Sequence, residues 1–231
     1  MISLVLVRHC ESIGNIALQK SFFQQDDSMY TDEFMSAPST EWALSEYGRS
    51  HAVAIGVYLR ERIVPNRVFV SDTKRTVETV EWMSVPSEEV ISTSLLRERD
   101  YAGLELRPKN EWLRCVADLN EAMQSLSWKP PGGESMNDIV PRVENFLKTN
   151  VLENQTTLIV THGDIIQVMR MALLGLSGSS RQAFREMRGN YIRTGQIFFY
   201  EEARSGVYRE TTVHYDGTTW HNLSIDFKGL L

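Results

Sequence analysis

Short uninterrupted apolar runs alternate along this chain with longer stretches in which apolar residues recur every three or four positions. Leu4-Val5-Leu6-Val7, Val68-Phe69-Val70 and Leu158-Ile159-Val160 lack the alternation of a half-exposed strand and are too short for helices, so they predict strands buried on both faces. Between them lie helical stripes. Ser45 reads as the N-cap of a helix that turns Ala52, Ile55 and Leu59 inward and ends near Val64-Pro65. Asp72 is expected to cap a second helix with Val77, Val80 and Met83 on one face, stopping before Pro86. Trp112, Val116, Leu119, Met123 and Leu126 mark one stripe of a long helix that Pro130-Pro131-Gly132-Gly133 breaks. Ser135 with Asp138 resembles a capping box opening a helix that carries Ile139, Val143, Phe146 and Leu147. Residues 89–95 predict a shorter strand, and 196–200 with 207–214 predict late strands forming a hairpin at one edge. The stretch 164–174 is apolar nearly all round, as expected of a helix packed beneath a sheet. Together these elements predict an α/β sandwich.

The 231 residues, 42% of them hydrophobic, are read as a single domain with one sizeable core. One segment breaks the pattern. Across 16–43, Phe22, Phe23, Tyr30, Phe34, Met35 and Trp42 alternate with Asp26, Asp27, Asp32, Glu33 and Glu41 without a clean period, which suggests a lid inserted over a pocket. Aromatics of that kind would favour apolar leaving groups, and the acidic residues would discourage highly anionic ones.

Charge and cysteine content narrow the functional classes. A net charge of -6 argues against nucleic acid or an anionic membrane as partner, because such binding needs basic patches that release counterions. No apolar segment approaches the roughly 20 residues of a membrane span, and the first apolar run is too short for a signal peptide, so a cytoplasmic protein is expected. The two cysteines, Cys10 and Cys115, form no CxxC pair, so neither a disulfide framework nor a metal site is indicated.

The candidate chemistry lies where the apolar runs stop. The first ends at Arg8-His9, the second leads through Ser71-Asp72 to Lys74-Arg75, and the third ends at Thr161-His162-Gly163-Asp164. In an open parallel sheet every strand delivers its next residue to the same carboxyl-end crevice. Guanidinium forks match phosphate oxygens and keep their charge, and imidazole is nucleophilic near neutral pH. Two arginines and two histidines there suit a phosphoryl group, one imidazole attacking phosphorus while the other groups hold its oxygens.

Arg8-His9 followed by Glu11-Ser12 and Asn15, then Leu44-Ser45-Glu46-Tyr47-Gly48, Ser71-Asp72 with Arg75-Thr76, Pro131-Gly132-Gly133-Glu134-Ser135 and Thr161-His162-Gly163 resemble the histidine phosphatase (phosphoglycerate mutase-like) superfamily, over residues 3 to about 200. The resemblance implies a three-layer α/β/α fold with a central, mostly parallel sheet, a phosphohistidine mechanism with no metal and no organic cofactor, and a small phosphorylated substrate. It makes His9 the nucleophile and assigns the phosphate oxygens to Arg8, Arg75 and His162, with Asn15 and Gly163 close by. Glu98 falls where the family places its general acid, a role worth roughly 10²–10⁴-fold in rate. Relatives include dimers, so a monomer or homodimer is expected.

The family normally has glycine where this chain has Cys10. Two readings stand: a small buried residue turned away from the ligand, or a redox-sensitive thiol made acidic by Arg8. Asp164 is expected to cap the helix that follows, and His51, His214 and His221 are read as structural. Hydrolysis of a phosphomonoester is the first functional expectation. Phosphoglycerate mutase-type transfer is the alternative, against which stands a single arginine, Arg114, where a mutase shows a pair. A binding protein that has lost turnover is the other alternative, with Cys10 as its warrant.

Overall fold

The computed structural model describes residues 2–116, 118–152, 154–186, 191–204 and 207–222. Strand β1 (Ile2–Arg8) runs at the middle of a seven-stranded sheet, with β4 (Thr157–Thr161) on one side, β2 (Arg67–Ser71) beyond it and β3 (Glu89–Thr93) at the edge. These four are parallel, in the register Leu6↔Ile159 and Phe69↔Ile159. On the other side β5 (Ile197–Arg204), β6 (Val207–Tyr215) and β7 (Trp220–Asn222) add antiparallel. The expected hairpin therefore exists, but it pairs directly with the central strand and β7 occupies the edge.

Alternation along the buried strands sorts their side chains into two cores. Leu4, Leu6, Phe69, Ile159, Phe198 and Tyr200 face one layer, formed by α7 (Met136–Asn150), α8 (Gly163–Leu173) and α9 (Ser179–Glu186). Val5, Val7, Val68, Val70, Leu158, Val160, Ile197 and Phe199 face the other, formed by α3 (Glu46–Arg60) and α4 (Lys74–Met83). Both faces of the sheet are covered, which is the three-layer arrangement and the reason the strands read as continuous apolar runs. Ser45 caps α3 through Gly48 N, and Ser135 with Asp138 forms the expected capping box.

Two expected helices differ. The stripe from Trp112 to Leu126 is split into α5 (Lys109–Cys115) and α6 (Leu119–Gln124). Val116 is extended, and Asp118 accepts from Glu121 N, so a new N-cap competes successfully with continuation of the first helix. Asp72 does not cap α4. The capping position is Thr73, and the Asp72 carboxylate instead takes both arms of Arg97, Nε at 2.6 Å and Nη2 at 2.7 Å.

The aperiodic segment holds the end of α1 (Ile13–Gln19), one wide helical turn at Lys20–Gln24, α2 (Asp32–Ser36) and a 3₁₀ turn at Ser39–Glu41. Its aromatics mostly pack on one another: Phe34 stacks on Trp42 at 5.4 Å and meets Tyr30 edge-on at 5.3 Å, while Phe23 is exposed. Among the described residues no helix is long and apolar enough to cross a membrane.

Candidate active site

The four parallel strands end at one edge, and that edge carries the chemistry. His9 N donates to Thr161 O at 2.9 Å, and Gly195 N lies within 3.1 Å of Arg8 O and 3.2 Å of His9 O, clamping the turn that follows β1. Gly195 has φ +70°, and a Cβ there would sit 2.4 Å from the His51 ring, so both conformation and space call for glycine.

Arg8, His9, Arg75 and His162 converge, as the sequence predicts. His9 Nδ1 donates to Cys10 O at 2.7 Å, which fixes the tautomer and leaves Nε2 as the unprotonated, accepting nitrogen. Arg75 Nε points at that Nε2 at 3.3 Å, Arg75 Nη2 donates to His162 Nδ1 at 3.2 Å, and Nη1 donates to Ser39 O at 2.8 Å. His162 Nε2 then donates to Ser71 Oγ at 2.9 Å. The two imidazoles meet edge-on, their centroids 5.2 Å apart. Arg8 Nη1 donates to Ile192 O at 2.5 Å, whereas Arg8 Nε is buried and has no hydrogen-bond partner among the described residues. A Cβ on Gly163 would lie 3.7 Å from the Arg8 guanidinium carbon, so this glycine lines the cationic wall.

Burial sets the protonation states. It lowers the pKa of His9 well below the ordinary 6.5, with Arg75 and Arg8 adding repulsion, and it does the same to His162. Both imidazoles are therefore neutral near pH 7. Arg75 is itself pulled down to about 10, chiefly by burial, although Glu98 opposes the shift. A buried guanidinium such as Arg75, beside the half-buried Arg8 and with no carboxylate in ion-pair contact among the described residues, is costly, and an anion would relieve it.

Glu98 lies close enough to Arg8 and Arg75 to feel both charges, and its Oε1 accepts from Arg99 N at 3.1 Å and Asp164 N at 3.2 Å. Burial first and the nearby Asp164 carboxylate second raise its pKa to about 7, against the pull of Arg8 and Arg75. Asp164 is not a helix cap. Its Oδ2 accepts from buried Arg99 Nε at 2.9 Å and Tyr101 OH at 2.8 Å, and its Oδ1 accepts from Arg185 at 3.3 Å. These donors outweigh its burial and hold Asp164 ionised. The Oδ1 of Asn15 serves the Ser12 capping box, accepting from Ser12 N and the Ser12 hydroxyl at 3.0 Å each, so anything it offers an anion comes from Nδ2.

Cys10 settles in favour of the bland reading. Its side chain is fully buried in the apolar cluster with Val5, Val7 and Leu44, its φ is not in the left-handed region, and burial pushes the thiol up rather than down. The acidic, redox-sensitive thiol is a wrong expectation, because the side chain points into the core where no water solvates a thiolate.

Sequence reasoning missed the supporting cast. Thr79 Oγ1 accepts from Cys10 N at 3.1 Å while donating to Arg75 O at 2.6 Å, tying the two halves of the pocket together. Gly195, Arg99 and Ser39 were also invisible, since each acts through backbone atoms or through a partner remote in sequence. Lys109 turns to Phe22 O at 3.1 Å, and Arg114 pairs with Glu111 on the surface.

An α/β sheet whose carboxyl edge brings two neutral imidazoles beside the buried Arg75 and the half-buried Arg8 has the chemistry to suit an oxyanion. More particularly, the model of the histidine phosphatase superfamily (branch 1) matches residues 4–191, and the chain belongs to that superfamily. It is 30% identical over 190 residues to a 2,3-bisphosphoglycerate-dependent phosphoglycerate mutase of Bartonella tribocorum, covering 76% of this chain and 83% of the relative. It is 36% identical over 153 residues to the fructose-2,6-bisphosphatase TIGAR B of Danio rerio, covering 64% of this chain and 52% of the relative. Among solved structures, YhfR of Bacillus stearothermophilus superposes with a TM-score of 0.67 at 20% identity, covering 89% and 93% of the two chains, and so shares the fold.

Proposed function

We propose that this protein hydrolyses small phosphomonoesters through a phosphohistidine at His9. The observation that carries the reading is the His9 ring, held neutral with Nδ1 on Cys10 O and Nε2 presented among Arg8, Arg75 and His162. The Nε2 lone pair forms the N–P bond as the ester P–O bond breaks. The electron pair leaves on the ester oxygen, which takes the proton from Glu98. Water then attacks phosphorus, Glu98 accepts the water proton, and the N–P bond returns its pair to His9. Arg8 and Arg75 neutralise the equatorial oxygens, and an oxygen reaching the unpartnered Arg8 Nε–H satisfies it. With His162, Asn15 and Gly163 at its margin, the pocket recognises the phosphoryl group rather than the rest of the ester.

The mutase-like relatives favour a second reading, transfer between phosphoglycerates. Transfer needs additional cations to grip a substrate carboxylate. Arg114 is instead exposed and paired with Glu111, Lys109 turns to a backbone carbonyl, and Glu105 places an acidic group near Arg75. The binding-protein reading loses its warrant with Cys10 turned into the core. Hydrolysis of p-nitrophenyl phosphate by wild type and His9→Ala in EDTA, run beside a coupled mutase assay, tests the choice. Release of phosphate that survives chelation and vanishes in the variant is expected; mutase turnover with negligible hydrolysis would reverse it.

A further inference from the structure

Beyond the residues that would touch the phosphoryl group, one buried carboxylate sits against the proposed acid without reaching the pocket itself. We propose that Asp164 is a positioning residue that keeps the proton on Glu98 and selects which oxygen carries it, an inference that rests on Glu98 acting as the general acid.

Two observations carry it. Glu98 Oε1 accepts two backbone N–H groups, from Arg99 and from Asp164 itself. An oxygen receiving two donors is a poor place for a proton, so the proton resides on Oε2. The second is charge. Asp164 is buried, paired with Arg99 and Arg185 and hydrogen-bonded by Tyr101, all of which favour its charged form, and it follows Gly163 directly at the start of α8. Glu98 faces cations from two other elements, Arg8 at the end of β1 and Arg75 in α4, and both favour its losing the proton. From its own loop it faces Arg99, a third cation, and Tyr101. Asp164 is the like charge that opposes the pocket cations, so the acid stays protonated in a site whose other groups are arranged to attract anions. The arginine cluster thus serves two purposes: two members hold the anion, while Arg99 and Arg185 hold the carboxylate that keeps the acid protonated.

The test is the pH dependence of kcat/KM, which reports the free enzyme, for an alkyl phosphate whose leaving group needs a proton. In Asp164→Asn the alkaline limb should move about one pH unit toward acid, so that the loss at pH 8 exceeds that at pH 5.5 by about tenfold. Arg185→Met, at the periphery of the cluster, leaves Asp164 less neutralised and should move the limb the other way, which keeps the test alive if Asp164→Asn does not fold. Losses equal at every pH, with the limb unmoved in whichever variant folds, would overturn the proposal. Glu98→Gln separates the two claims. If the limb persists in Glu98→Gln, the general-acid reading fails; if it disappears there yet stays fixed in the Asp164 and Arg185 variants, only the role of Asp164 fails.

Discussion

Two buried arginine sites lie on the same sheet, and they are built to opposite ends. On one, Arg170 in α8 is fully buried and meets Glu210 through two hydrogen bonds, Nε at 2.9 Å and Nη2 at 2.8 Å. Tyr200 OH donates to the same carboxylate at 2.5 Å, and the rings of Phe184 and Phe198 cover the guanidinium at 5.1 and 4.6 Å. Glu210 more than offsets burial and raises the pKa of Arg170. On the other, among the described residues, Arg8 and Arg75 form no ion pair; their partners are carbonyls and imidazole nitrogens, and burial drags Arg75 down. A buried charge whose partner is built into the fold is structure. A buried charge without such a partner is open to an incoming anion, and the fold carries its cost.

The comparison is broken most directly by removing each charge in turn. Arg170→Met strands the Glu210 carboxylate in the core and should destabilise the protein by about 3–5 kcal/mol, read by urea denaturation, with the catalytic constants of the folded fraction little changed. Arg75→Met strands no carboxylate, although Ser39 O, His9 Nε2 and His162 Nδ1 each lose a donor. It should destabilise the protein far less than Arg170→Met does while lowering kcat/KM by roughly 10²–10³-fold, as loss of a charge-stabilising donor does. Equal destabilisation by the two substitutions would show that Arg75 is as structural as Arg170.

A smaller effect sharpens the comparison with a third kind of group, one that could be charged but is kept neutral. His51 is buried against Gly195, with His214 5.9 Å away, and neither ring nitrogen has a hydrogen-bond partner among the described residues. Burial, with His214 adding repulsion, lowers its pKa from 6.5 to about 4. Between those values the unfolded chain binds the proton and the folded one does not, so stability falls as pH drops from about 6.5 through about 4. The loss attributable to His51 approaches about 3 kcal/mol below that window. His51→Phe should remove that share of the acid sensitivity, measured as the slope of unfolding free energy against pH; an unchanged slope would mean the imidazole finds solvent.

What the chain disclosed in advance follows from the same physics. The buried strands were legible because both faces are covered and their apolar runs are uninterrupted, and His9, Arg8, Arg75 and His162 were legible because those runs end abruptly in charge. The capping box at Ser135 was legible because its signal is local. The break between α5 and α6 was not, because Asp118 as a cap and Asp118 as a surface residue of a continuous helix look alike in sequence. Asp72 and Asp164 misled for a related reason: each stands where a cap is expected, but an arginine distant in sequence claims its carboxylate. Cys10 was ambiguous because the direction of a side chain leaving a strand end depends on register, which β1 shares with β4 and β5.

The central claim is that the unpaired cationic site exists to hold a phosphoryl group on His9. It is tested by mixing wild-type protein and His9→Ala with a phosphomonoester labelled in its phosphate, quenching in alkali within the turnover time, and mapping the label. The account predicts an alkali-stable, acid-labile phosphate on His9 that forms and decays at least as fast as turnover, and none in the variant. Label on another residue, or undiminished turnover in His9→Ala, would contradict it.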